Sequence, residues 1–111
     1  MTRNYITFDN DHVQDILDGK KYETVRYGWE QYPTPGDLID LRDGYGNVFA
    51  EAEVADVREE TINYFVTHDH HGHRDYEDVD EMVEHMNKYY SEDMDRSTII
   101  TVITFDVKHH E

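Results

Sequence analysis

Cysteine is absent from all 111 residues, which excludes disulfides, thiolate metal sites and thiol nucleophiles. Proline occurs twice, at Pro33 and Pro35, and lysine four times, at Lys20, Lys21, Lys88 and Lys108. No apolar run approaches the ~20 residues that a membrane-crossing helix needs, so no membrane partner is expected. Met1-Thr2-Arg3-Asn4 leads directly into a strand-like run, so no signal peptide is expected and the cytoplasm is the default compartment. What the chain does have is aromatic bulk: 9 Tyr, 4 Phe and 1 Trp. Disordered chains lack such residues, so a folded domain is expected. The length suits a single domain over 1–111, with about two-thirds of the unfolded surface hidden on folding.

Charge is strongly one-sided. Asp and Glu number 26 against 10 Lys plus Arg, for a formal charge of -16. Such a field repels nucleic-acid phosphates unless cations are focused in a cleft, and it strains the compact state. Asp (15) exceeds Glu (11), the balance of a salt-adapted, halophilic surface. Molar salt shortens the screening length to ~3 Å and relieves the repulsion. An acidic face made for one basic partner is the alternative.

Hydrophobic patterning predicts an alternating order of strands and helices. Residues 5–8 read as a short strand. Asp9, Asn10 and Asp11 are candidate N-caps for a helix carrying Val13, Ile16 and Leu17, with Gly19 as its stop. Residues 22–27 alternate as a strand. Pro35-Gly36-Asp37 turns into a strand over 38–41, and Asp43-Gly44-Tyr45-Gly46-Asn47 reads as a hairpin loop. Residues 48–57 form a long strand, with Val48, Ala50, Ala52 and Val54 on its buried face. A short helix opens near Thr61 and runs to Phe65, and 68–74 is a polar loop. Asp78 caps a helix reaching Tyr90, with Val79, Met82, Val83 and Met86 on one face. Residues 98–107, β-branched and almost continuously apolar, form the last strand. The fold class is therefore α+β: a small, partly open β-barrel with two to three helices packed against it. An open α+β sandwich is the alternative.

Three segments lie in a telling order: Ile16-Leu17-Asp18-Gly19-Lys20-Lys21-Tyr22-Glu23-Thr24-Val25-Arg26, Pro35-Gly36-Asp37-Leu38-Ile39, and Ala50-Glu51-Ala52-Glu53-Val54. Together they resemble the ASCH domain family, a PUA-like fold in which a helix ends in Gly-Lys-Lys, a strand carries Thr-x-Arg and a Gly-Asp turn follows. Within it, the opening Ile-Thr-Phe and the helix-to-strand segment are most similar to the small single-domain N4-acetylcytidine amidohydrolases. That resemblance implies catalytic roles for Lys21 and Thr24. It also implies a catalytic Glu in the loop before the last helix, where this chain has His73-Arg74-Asp75-Tyr76-Glu77. Asp75 fits best by spacing and Glu77 second, and Asp is one methylene shorter than the family's Glu.

The chemistry suits an amide hydrolysis, which needs a nucleophile, a base and an oxyanion partner. Thr24 supplies a hydroxyl. Lys21 can act as base if burial or a neighbouring cation favours its neutral form, and Lys20 and Arg26 are candidate cations. Asp75 or Glu77 can protonate the leaving amine or hold the cytosine amine, and Arg26 can bind ribose or an oxyanion. Substrate binding is accordingly assigned to Lys20, Arg26, Tyr22 and Glu77. Plainer roles compete: Lys20 and Lys21 suit a helix C-terminus, Thr24 suits a strand, and Arg26 can pair with any carboxylate. Tyr22, Tyr27, Trp29, Tyr32 and Tyr45 surround these segments as base-stacking or packing residues.

His68-Asp69-His70-His71-Gly72-His73 has the composition of a metal-binding tract, yet nothing fixes a ligand geometry. A solvated loop, or a lid titrating near neutral pH, accounts for it, and neither metal nor cofactor is expected. Two functions follow. One is deacetylation of an N4-acetylated pyrimidine nucleoside. The other is a noncatalytic PUA-like module binding single-stranded RNA or a modified nucleotide. The acidity favours a free nucleoside, which carries no phosphate.

Overall fold

Runs of β-branched and aromatic residues become the strands, and the turns between them fall at glycine, proline and aspartate. A computed structural model describes residues 4–68 and 78–108. Along them the order is β1 (Tyr5–Thr7), α1 (Asn10–Leu17), β2 (Glu23–Arg26), β3 (Leu38–Arg42), β4 (Val48–Thr61), α2 (Ile62–His68), α3 (Val79–Tyr90) and β5 (Ile99–Val107). The five strands form one sheet in the order β1-β3-β4-β5-β2. β1 runs parallel to β3, and the other pairings are antiparallel. A register shift between Val54 and Asp56 bends β4 against β5, as a bulge does. The sheet curls until its edge strands meet: Arg26 Nη2 of β2 donates to the Thr7 carbonyl of β1 at 3.0 Å. The result is a half-barrel whose seam is crossed by a side chain rather than by a backbone ladder.

β5 is apolar on both faces because both are covered. Ile103 and Phe105 join Ile6, Phe8, Ile39, Leu41, Ala50, Ala52 and Val54 in one core, which Ile16 of α1 completes. Ile100 and Val102 face a second core built with Phe65 of α2 and Val79, Met82 and Met86 of α3. The strand period of two thus sorts β5 into two cores. Asp78 accepts a hydrogen bond from the Glu81 amide at 2.8 Å, the N-cap expected for α3.

Two boundaries differ from the sequence pattern by more than one residue. β4 runs to Thr61 rather than 57, because residues 56–61 pair with β5 although their side chains are mostly polar. α2 continues to His68 rather than Phe65, starting just after Thr61, whose hydroxyl accepts from the Tyr64 amide. Val48 is exposed rather than buried: it opposes Arg42 beyond a register shift at the hairpin end, past the core. Among the described residues no helix is long and apolar enough to cross a membrane.

Candidate functional site

The site is assembled where the half-barrel seam meets the C-terminal end of α3. Its first element is the turn after α1. Gly19 adopts φ +79°, a left-handed conformation that suits glycine, and the amides of Lys20 and Lys21 both donate back to the Asp15 carbonyl at 2.8 and 3.1 Å. This wrap ends the helix and turns Lys21 toward β2. There Lys21 Nζ donates to the Glu23 carbonyl at 3.0 Å.

Alternation along β2 then separates two functions. Thr24 and Arg26 share one face, where Arg26 Nε donates to Thr24 Oγ1 at 3.1 Å. Glu23, on the other face and only 2% exposed, accepts from Arg58 Nη2 at 2.8 Å and from Thr104 Oγ1 at 3.3 Å. Arg58 also reaches Glu60 at 2.6 Å and Asp56 at 3.2 Å. Burial works against the Arg58 charge, but the hydrogen bonds to Glu23 and Glu60 and their negative charges outweigh it, so its pKa lies above the usual arginine value. This network clamps β2 from behind and leaves Thr24 facing the seam.

Lys21, Thr24 and Arg26 line one cavity of about 140 Å³. That is close to the roughly 150 Å³ of a cavity able to hold a benzene ring, and below the roughly 300 Å³ at which drug-sized pockets begin. Phe8, Phe65 and Met86 are its buried apolar residues, while Asp9, His85 and Tyr89 are exposed at its mouth. Lys21 Nζ lies 6.0 Å and Arg26 Cζ 5.1 Å from the centre of the Phe8 ring, so two cations meet on one aromatic. Tyr90 also lines the cavity; burial pushes its phenol above the usual range, partly countered by the positive charge of Arg26. The arrangement offers a hydroxyl, an amine and a guanidinium in the lining of a ring-sized hollow.

The structure therefore brings Lys21, Thr24 and Arg26 together. Lys20 is exposed and outside the cavity lining, at the helix end where a cation is favoured anyway. Tyr22, 39% exposed, lines a separate groove of about 710 Å³ with Leu17, Phe105 and Val107. Asp75 and Glu77 lie outside the described residues, as do all of the histidine tract but His68. His68 stacks on Tyr64 with ring centres 4.4 Å apart. Among the described residues no cluster of three or more His, Cys, Asp or Glu is placed to hold a metal ion.

The aromatic residues of the hollow are not those the segment suggested. Trp29 stacks on Tyr32 at 5.1 Å against the first core, Tyr27 packs edge-on to Tyr90 at 5.8 Å, and Tyr45 is exposed at the hairpin tip. The lining aromatics are Phe8, Phe65, Tyr89 and Tyr90, with His12 and His85 beside them. Their one sequence signal is the adjacent pair Tyr89-Tyr90 closing an amphipathic helix; helical periodicity names a buried face but not what lies across from it.

No protein-family model matches the chain, and no curated protein does. Solved structures do. The ASCH domain from Lactobacillus crispatus JV V101 superposes with a TM-score of 0.71 at 15% identity, over 96% of this chain and 79% of that one. A protein of Enterococcus faecalis V583 from the family DUF984 gives 0.67 at 17% identity, over 100% and 86%. A variant of the ASCH protein from Zymomonas mobilis gives 0.67 at 13%, over 100% and 72%. The chain has the ASCH fold: an α+β, PUA-like, partly open barrel with three helices packed against it.

Proposed function

We propose that this chain, acting as a single domain over 1–111, is an amidohydrolase that deacetylates N4-acetylcytidine or a related acylated pyrimidine nucleoside in a salt-rich cytoplasm. The observation that carries the reading is the convergence of Lys21, Thr24 and Arg26 on one ring-sized hollow with aromatic walls. Thr24 is nearly buried, and its oxygen already accepts a hydrogen bond from a cation. That contact favours negative charge on the oxygen as its proton leaves.

In the proposed reaction Thr24 Oγ attacks the acetyl carbonyl carbon and its proton passes to neutral Lys21 Nζ. Arg26 and the Lys21 ammonium stabilise the resulting oxyanion. The carbon–nitrogen bond then breaks, and the N4 amine takes a proton from the acid, assigned to Asp75 with Glu77 as second choice. Cytidine leaves and an acetyl ester remains on Thr24. The Lys21 ammonium returns its proton to the acid's carboxylate. Water then attacks the ester, the now neutral Lys21 takes the water's proton and passes it to the Thr24 oxygen as the ester bond breaks, and acetic acid departs as acetate and a proton. Phe8, Phe65 and Met86 give the hollow a buried apolar wall, beside which charge interactions are stronger than in open water.

The test is incubation with N4-acetylcytidine in molar KCl, followed by chromatography for cytidine. Cytidine and acetate form in equal amounts if the reading is right. A protein that forms neither across salt and pH, yet binds a single-stranded oligonucleotide, is a noncatalytic module instead.

A further inference from the structure

We propose that Tyr89 is a stacking platform for the pyrimidine ring at the mouth of the cavity, and so a further substrate-binding residue. The identity of the ring rests on the reading above; the platform itself rests on separate geometry. Tyr89 and Tyr90 are neighbours with opposite situations. Tyr90 belongs to the second core, edge-on to Tyr27. Tyr89 lines the same cavity yet is 58% exposed, so burial does not account for where its ring stands.

Two ring contacts hold it instead. His85, one helical turn earlier, lies nearly parallel to it at 6.4 Å and 24°, and Tyr90 meets it edge-on at 4.8 Å and 65°. α3 stops directly behind the pair at Ser91, whose φ of +53° is the left-handed region that favours glycine. Among the described residues Ser91 is the only non-glycine residue with positive φ, a left-handed helix end one residue past the aromatic pair. An exposed aromatic ring oriented in advance loses little freedom when a flat ligand lands on it.

The cavity's chemistry leaves this role open. Its buried residues Phe8, Phe65 and Met86 supply no hydrogen bonds, Lys21, Thr24 and Arg26 are spent on the acetamide in the proposed reaction, and Asp9, His12, His85 and Tyr90 are left for a heterocycle's edge; none of these takes up its face. A hollow of about 140 Å³ takes one ring and leaves the ribose outside. A ring seated there still presents a face, and exposed Tyr89 in the cavity lining is the aromatic available to take it. Stacking of this kind tolerates any base face, so discrimination among pyrimidines falls to the deeper groups.

The experiment is calorimetric titration with cytidine, the product, so that binding is read without turnover. Urea unfolding of each variant confirms a wild-type fold. Tyr89→Ala weakens cytidine about tenfold or more, whereas Tyr89→Phe, which keeps the ring, binds within about twofold of wild type. With N4-acetylcytidine as substrate, Tyr89→Ala raises KM and leaves kcat nearly unchanged. Equal cytidine affinity in wild type and Tyr89→Ala overturns the platform, as does a wild type that binds no cytidine. Deacetylation that is indifferent to Tyr89 overturns the platform alone. Ring-dependent cytidine binding without deacetylation upholds the platform and overturns the hydrolase reading.

Discussion

Removing the cation from behind β2 is the sharpest structural perturbation available. Arg58 donates to Glu23 at 2.8 Å and to Glu60 at 2.6 Å, and both acceptor side chains are nearly shielded from water. Arg58→Met keeps much of the packing volume but strands two carboxylates. Breaking a buried ion pair on one side costs about 3–5 kcal/mol. Arg58 is itself 30% exposed, so water relieves part of the loss, and about 2–3 kcal/mol is expected. The Asp56 contact, half exposed, adds nothing that matters beside this. At roughly 4–8 °C per kcal/mol for a domain near this size, the melting temperature falls by about 10–20 °C. Urea denaturation gives the same difference from midpoints at constant slope. Arg58→Lys recovers part of the loss, because a single ammonium cannot serve the fork of acceptors. The deficit persists in molar salt, since buried charges are screened little. A stability within about 0.5 kcal/mol of wild type would refute the clamp, because ordinary surface changes fall in that range.

The remaining expectations concern salt and pH. Raising KCl from about 0.1 to about 1 M shortens the screening length from ~10 to ~3 Å, so a chain of net charge -16 gains melting temperature steadily across that range. A melting temperature independent of salt contradicts the salt-adapted surface. Burial holds the proton on Tyr90 above the usual 10.0, so the folded state binds more protons than the unfolded one above that pH. Its contribution is therefore intact below about pH 10 and is lost as pH rises toward the elevated value. Tyr90→Phe flattens this part of the alkaline stability curve; an unchanged slope in urea midpoints between about pH 9 and 11 argues against a buried phenol.

Much of the fold is legible in the chain because local chemistry and global packing agree. Gly19, the Pro35-Gly36 turn and the double-glycine hairpin punctuate the strands where the structure breaks them. The almost continuously apolar, β-branched run of residues 99–107 announces a strand covered on both faces. The end of β4 was hidden because Arg58 and Glu60 look like loop residues until their partners across the sheet are known. The parallel pairing of the three-residue β1 with β3 is likewise non-local and leaves no pattern. Lys21, Thr24 and Arg26 were singled out by the resemblance carried on the Gly-Lys-Lys and Thr-x-Arg segments, and one turn and one strand bring all three to the same cavity. The opposite wall was not legible, because Phe65, His85, Tyr89 and Tyr90 reach the cavity only through the packing of α2 and α3.

The central claim is that an amine and a hydroxyl act together in that hollow, and kcat for Thr24→Ala, Thr24→Ser and Lys21→Ala against wild type tests it most directly. The account predicts measurable deacetylation by wild type, retention by Thr24→Ser of a substantial share, and a loss of at least about a hundredfold in both alanine variants. Thr24→Ala turning over N4-acetylcytidine at the wild-type rate contradicts it.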